Sequence, residues 1–131
     1  MTTATRGRKP TLNADRAPLA RVPKAPSHLS PEAKAEWKRV LPRLVEDRIV
    51  TTADLGGVED LCTARGIVRQ IERERQAAGG VIDPKMFGVL NRAAQTARQL
   101  AAEYGLSPVS RSRIASTAAE DDDADNPLAV T

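Results

Sequence analysis

Residues 83–106 read DPKMFGVLNRAAQTARQLAAEYGL, and their spacing decides the fold. Asp83 stands where a helix N-cap belongs. Pro84 fills the first helical position, where a missing N–H is no loss. From there Met86, Leu90, Ala93, Ala97, Leu100 and Tyr104 recur at steps of four and three, the spacing of a helix that packs along another helix. Small Ala93 and Ala97 at the centre of that seam allow a neighbouring backbone to come close. Gly105 suits the left-handed residue that stops a helix, and Leu106 packs back on the last turn. The simplest partner is the preceding helix, in an antiparallel hairpin.

Upstream, Thr51 followed by Asp54 resembles a capping box with Asp in place of the usual Glu. It opens a helix whose apolar stripe is Leu55, Val58, Leu61, Cys62, Val68 and Ile71, and which Gly79 and Gly80 close. At 1.5 Å per residue, 52–78 spans about 40 Å, long enough to need a long partner. A first helix starts at Ser30, Pro31 and Glu32, with a stripe of Ala33, Trp37, Val40, Leu41, Leu44 and Val45. Pro42 falls inside it and removes the bond to the Lys38 carbonyl, so a kinked helix running to about Arg48 is expected. Downstream, Ser107 and Pro108 repeat the start signal and predict a short fourth helix through about Ile114.

Both ends differ in composition from this all-α centre. Within 1–28, Pro10, Pro18, Pro23 and Pro26 interrupt every helical period, and six cations face the single carboxylate Asp15. Such a segment reads as an extended, flexible or surface-draped arm. Residues 116–131 carry Glu120, Asp121, Asp122, Asp123 and Asp125 with no cation, and read as a disordered acidic tail. The expected organisation is therefore a basic arm over 1–28, a helical core over 29–115 and an acidic tail over 116–131.

Of 131 residues, 40% are hydrophobic but only 2% aromatic, so the core is made of Ala, Leu and Val and is small. Cores of this size rarely supply more than about 3 to 5 kcal/mol alone, and oligomerisation is the expected remedy. Cys62 is the only cysteine, which excludes an intrachain disulfide and fits a reducing cytoplasm. No apolar run approaches the roughly 20 residues of a membrane span, and the N-terminus lacks the apolar core of a signal peptide.

Catalytic constellations are missing from the pattern. Gly79 and Gly80 precede Lys85 without the ending of a phosphate-binding loop. His28 is the one histidine, set among prolines and away from any nucleophile. Cys62 sits on an apolar stripe and reads as a small buried hydrophobe. The adjacent acids Glu46 and Asp47, and Glu59 and Asp60, point in different directions on a helix. The run Asp121 to Asp123 lacks the rigid cage of a cation site. The chain is expected to act by binding, with no cofactor and no metal.

Two stretches carry positive signals. Arg6-Gly7-Arg8-Lys9-Pro10 resembles the core of an AT-hook, in which arginines flanking a glycine enter the narrow minor groove of A·T-rich DNA; a merely solubilising basic terminus is the competing reading. Ser107-Pro108-Val109-Ser110-Arg111-Ser112-Arg113 places two guanidiniums and several hydroxyls on one short helix, to hold phosphate or to cap the bundle. The candidate DNA-binding residues are Arg6, Arg8, Lys9, Arg16, Arg21, Lys24, Arg111 and Arg113.

The order of these pieces is informative: Gly7-Arg8-Lys9-Pro10, then Pro23, Pro26, Leu29, Ala33 and Trp37, then Pro42 and Leu44, then Thr51, Asp54 and Leu61-Cys62, and last Gly105-Leu106-Ser107-Pro108, Ser110-Arg111 and Arg113. Taken together, they make the chain resemble the small subunit of bacteriophage DNA-packaging terminases, in the branch that begins with a Gly-Arg-Lys-Pro arm. The resemblance covers residues 7 to 114. It implies a helical, non-enzymatic subunit that assembles into a ring in the cytoplasm of the bacterial host, binds double-stranded viral DNA, and presents it to a large subunit carrying the ATPase and nuclease. It also gives the tail, with its Pro127-Leu128-Ala129-Val130 cluster, a contact on that large subunit. Two other readings stay open: a helical adaptor between proteins, and a helix-turn-helix regulator, against which the length of the second helix counts.

Overall fold

Ser30 begins the first helix as its sequence demands: its hydroxyl accepts from the Ala33 N–H at 3.1 Å, and Pro31 occupies the first turn. In the computed structural model, which describes residues 17–113 and 115–116, helix α1 then spans Pro31–Glu46, α2 Leu55–Ala77 and α3 Pro84–Glu103. A 3-10 turn, Thr52–Asp54, leads into α2, with the Asp54 carboxylate accepting from the Thr51 N–H at 2.8 Å. Asp83 caps α3 through the Lys85 N–H at 3.0 Å. Residues 108–113 are helical again, started by the Ser107 hydroxyl, which accepts from the Ser110 N–H at 3.1 Å. Among the described residues there is no strand.

All three helices stop in the same way, with paired backbone bonds closed over a left-handed residue. At α2 and α3 that residue is glycine, Gly79 (φ 84°) and Gly105 (φ 70°). At α1 it is Arg48 (φ 55°), with Ile49 N–H bonded to the Leu44 carbonyl at 3.0 Å. This stop ends α1 at Glu46, two residues before the expected Arg48. The helix runs through Pro42 without interruption; the ring lies exposed, while its neighbours Leu41 and Leu44 are fully buried.

Helix α2 is the central element, with α1 and α3 packed against it. Glu32 pairs with Arg73 and Glu36 with Arg69, each at 3.1 Å, so α1 and α2 run in opposite directions. They touch closely at one point. A Cβ on Gly66 would lie 2.9 Å from the Ala33 backbone nitrogen, so only glycine fits there without movement. The main core lies between them: Ala33, Trp37, Val40, Leu41 and Leu44 meet Val58 and Cys62, closed off by Leu29 and Val50 from the flanking segments. Residues 17–29 lie against this unit as an extended strap. The Leu19 N–H donates to the Val50 carbonyl at 2.9 Å, and the Trp37 indole N–H donates to the Pro23 carbonyl at 2.9 Å.

A smaller cluster, Leu61, Ala64 and Ala97 with Leu100 and Tyr104 beside them, joins α2 to α3. The Tyr104 hydroxyl, at the end of α3, donates to the Asp54 carbonyl before α2 at 3.2 Å. The six-residue seam read from the sequence is used unevenly. Ala97 is buried, Leu90, Ala93, Leu100 and Tyr104 are half-buried, and Met86 is 39% exposed. The cause lies across the interface, where the last turns of α2 and its C-cap offer Glu72, Arg75 and Ala78 around the single buried Ile71.

Candidate nucleic-acid interface

Four of the eight candidate DNA-binding residues, Arg6, Arg8, Lys9 and Arg16, lie outside the described residues. The other four are all exposed, and they fall in two places. Arg21 and Lys24 belong to the strap, fixed by the hydrogen bond from Trp37 to Pro23 next to Lys24. Arg111 belongs to the helical segment after α3, and one of its guanidinium nitrogens donates to the Leu106 carbonyl at 3.3 Å. Arg113 follows it two residues on, in the same segment.

The structure brings each group together with cations that sequence reading passed over. Arg111 lines a groove of about 380 Å³ with Arg39 and Arg43 of α1 and Arg65 of α2. Lys24 lines a separate groove with Lys34 and Lys38 of α1. The one signal that could have found them is spacing: Arg39 with Arg43, and Lys34 with Lys38, each stand four apart, on a turn-to-turn row of one helix.

The floor of the arginine groove holds an acid. Glu36 is 1% exposed and receives two arginines, Arg39 from its own helix and Arg69 from α2. Burial by itself would push this carboxyl up, but the hydrogen bond from Arg39 and the charges of Arg39, Arg69 and Arg65 hold it below the ordinary 4.5. Glu36 is therefore a carboxylate, and it absorbs part of the positive charge around it. Arg43 is likewise turned to Asp47 at 2.7 Å. Arg65, by contrast, makes no ion pair among the described residues and stays half-buried at the edge of the groove.

Groups with reactive potential are held in structural roles. Cys62 is fully buried, and burial pushes its thiol up to about 12, far from a thiolate at neutral pH. His28 is exposed and lies 3.8 Å from a Glu59 carboxylate oxygen. Among the described residues no three His, Cys, Asp or Glu side chains gather as a metal site would require, and no helix is long and apolar enough to cross a membrane.

Comparison with known proteins places these features in a family. The sequence profile described as "Phage terminase, small subunit" matches residues 33–121, from the first turn of α1 through the helical segment that carries Arg111. No curated protein and no solved structure matches the chain.

Proposed function

Because this chain belongs to the phage terminase small-subunit family, we propose that it is a binding subunit of the packaging machine, which engages double-stranded viral DNA and presents it to the large subunit. It does so in the cytoplasm of the bacterial host and by contact alone, the ATPase and nuclease residing on the large subunit. The observation that carries the DNA contact is the set of exposed cations on the strap and after α3. Arg21, Lys24, Arg111 and Arg113 join Arg6, Arg8, Lys9 and Arg16 of the preceding segment as the phosphate-binding and groove-reaching residues.

The working form is a closed homo-oligomer. At the far end of α2 and α3, Val81, Ile82 and Phe87 are 70%, 65% and 57% exposed around an apolar groove of about 500 Å³. Contiguous apolar surface of this kind marks an association site. The acidic tail and its Pro127–Val130 cluster are the contact for the large subunit.

A helix-turn-helix reading would need two helices crossing at about 90–120°. The paired rungs Glu32–Arg73 and Glu36–Arg69 instead keep α1 alongside α2 over a full turn, which favours the packaging role.

The test is duplex binding by the full chain as a function of salt, compared with a chain lacking residues 1–16. That truncation removes four cations but spares the strap contacts to Val50 and Trp37. The slope of log affinity against log salt should fall by up to about 3.6, at roughly 0.9 per phosphate contact. An unchanged affinity and slope would remove the arm from the interface. Light scattering at tens of micromolar should report one closed assembly, and a strict monomer would defeat the oligomer.

A further inference from the structure

We infer that the groove between the 17–29 strap and α1 is a seat for the phosphate backbone of a nucleic acid, with Lys24, Lys34 and Lys38 as its cations and the Ser27 hydroxyl as a further donor. This rests on the DNA-binding reading above, and it moves part of that interface from the chain terminus onto the folded body. The groove has a volume of about 530 Å³, and its walls include Pro23, Trp37 and Pro42 as well as the three lysines.

The charge pattern is what points to a polyanionic ligand. Among the described residues no carboxylate lines the groove. None of the three ammonium groups has an ion-pair partner among the described residues, whereas Arg39, Arg43, Arg69, Arg73 and Arg75 each have one. Lys34 and Lys38 stand one helical turn apart, where like charges oppose helix formation. The strap then adds Lys24 to the same groove, held there by the Trp37 indole bonded to the Pro23 carbonyl at 2.9 Å. The sequence thus builds a local excess of positive charge and ties its third member in place. A polyanion supplies the missing counter-charge.

The chemistry of the cations indicates which polyanion. Lysines on flexible stems act as point charges and suit successive phosphates along a backbone, whereas a single oxyanion held specifically calls for an arginine fork or converging backbone N–H groups. The strap carries Arg21 and continues the segment bearing Arg6, Arg8, Lys9 and Arg16, so one duplex can pass from that segment onto α1. Contacts of this sort fix where and how the duplex lies and read no bases.

The test uses the full chain and a 20-base-pair duplex as probe, with fluorescence anisotropy measured across a salt series. The double variant Lys34→Ala, Lys38→Ala should lower the salt slope by about 1.8, and Lys24→Ala alone by about 0.9. The control Arg92→Gln, Arg98→Gln makes the same change in net charge at exposed sites on α3 and should leave the slope as it is. Trp37, the only tryptophan, supplies a second readout. Its indole N–H resonance should move on duplex addition in the wild-type and control chains and stay fixed in the Lys34, Lys38 variant. Duplex binding with the wild-type slope in the lysine variants, or an equal loss in the control, would overturn the groove while leaving the DNA reading intact. Absence of salt-dependent duplex binding by the wild-type chain would overturn both.

Discussion

The two ends of α2 are covered to very different degrees. Toward its start, Val58, Leu61 and Cys62 are at most 1% exposed, enclosed by α1, α3 and the segments carrying Leu29 and Val50. Toward its end, Ile71 is the last buried side chain, and its neighbours across the groove, Val81, Ile82 and Phe87, are more than half exposed. The helix is continuous, so the contrast comes from its neighbours. Where α1, α3 and the flanking segments converge the stripe closes; at the far end the first turn of α1 meets α2 through the Glu32–Arg73 ion pair, and the apolar side facing the start of α3 stays open. Folding free energy is thus concentrated in one half of the molecule, and surface for association in the other.

The comparison fails if the closed half proves soft. Leu41→Ala removes a fully buried side chain and should lower the unfolding free energy by about 3 kcal/mol in urea titration; a loss below about 1 kcal/mol would break the contrast. Glu36→Gln tests the buried ion pairs and should lose about 2 kcal/mol at pH 7. Its pH dependence has a definite sign. The folded carboxyl titrates below its free value of 4.5, so the wild-type advantage is fully present above pH 4.5 and disappears as pH falls through the folded value. Stability curves of the two chains should therefore converge in acid, and a constant gap would assign the loss to packing.

Gly66→Ala sharpens the comparison further. Alanine favours a helix over glycine by about 1 kcal/mol, yet its methyl would overlap the Ala33 backbone, and overpacking of this kind costs about 1 to 3 kcal/mol. A net loss of about 1 kcal/mol is expected by thermal unfolding. The smallest effect belongs to the open half. Phe87→Ser should change the unfolding free energy by less than about 0.5 kcal/mol in dilute chain, while reducing assembly size in light scattering.

Start and stop signals were the most legible part of the sequence, because they act within a few residues. Ser30, Asp83, Ser107 and Gly105 all perform locally the roles their types suggest. Arg48 was not legible as a stop, since a side chain at positive φ is disfavoured and only the bonds back to Val45 and Leu44 reveal it. The uneven seam of α3 was hidden for another reason: periodicity tells which face of a helix is apolar, but not how far along its partner stays apolar. For the candidate interface, the sequence offered the cations of the two end segments but not the residues that stand beside them. Arg21, Lys24 and Arg111 are exposed, as their segments suggested. Their companions Lys34, Lys38, Arg39 and Arg65 belong to other elements, and only the folded chain brings them together.

The close approach of Gly66 to Ala33 also decides which alignment of α1 on α2 is possible. Arg65, Arg69 and Arg73 stand four apart, as do Glu32 and Glu36, so sliding one helix past the other by a turn would pair Glu32 with Arg69 and Glu36 with Arg65. The salt bridges are degenerate under that slip and cannot oppose it. The notch is not degenerate: after the same slip Gly66 would face Leu29, which precedes α1, and after a slip the other way it would face Trp37, so the fit to Ala33 is lost in either direction. The apolar core holds the two helices together here, the ion pairs add to it, and one missing carbon atom tells them where to stop.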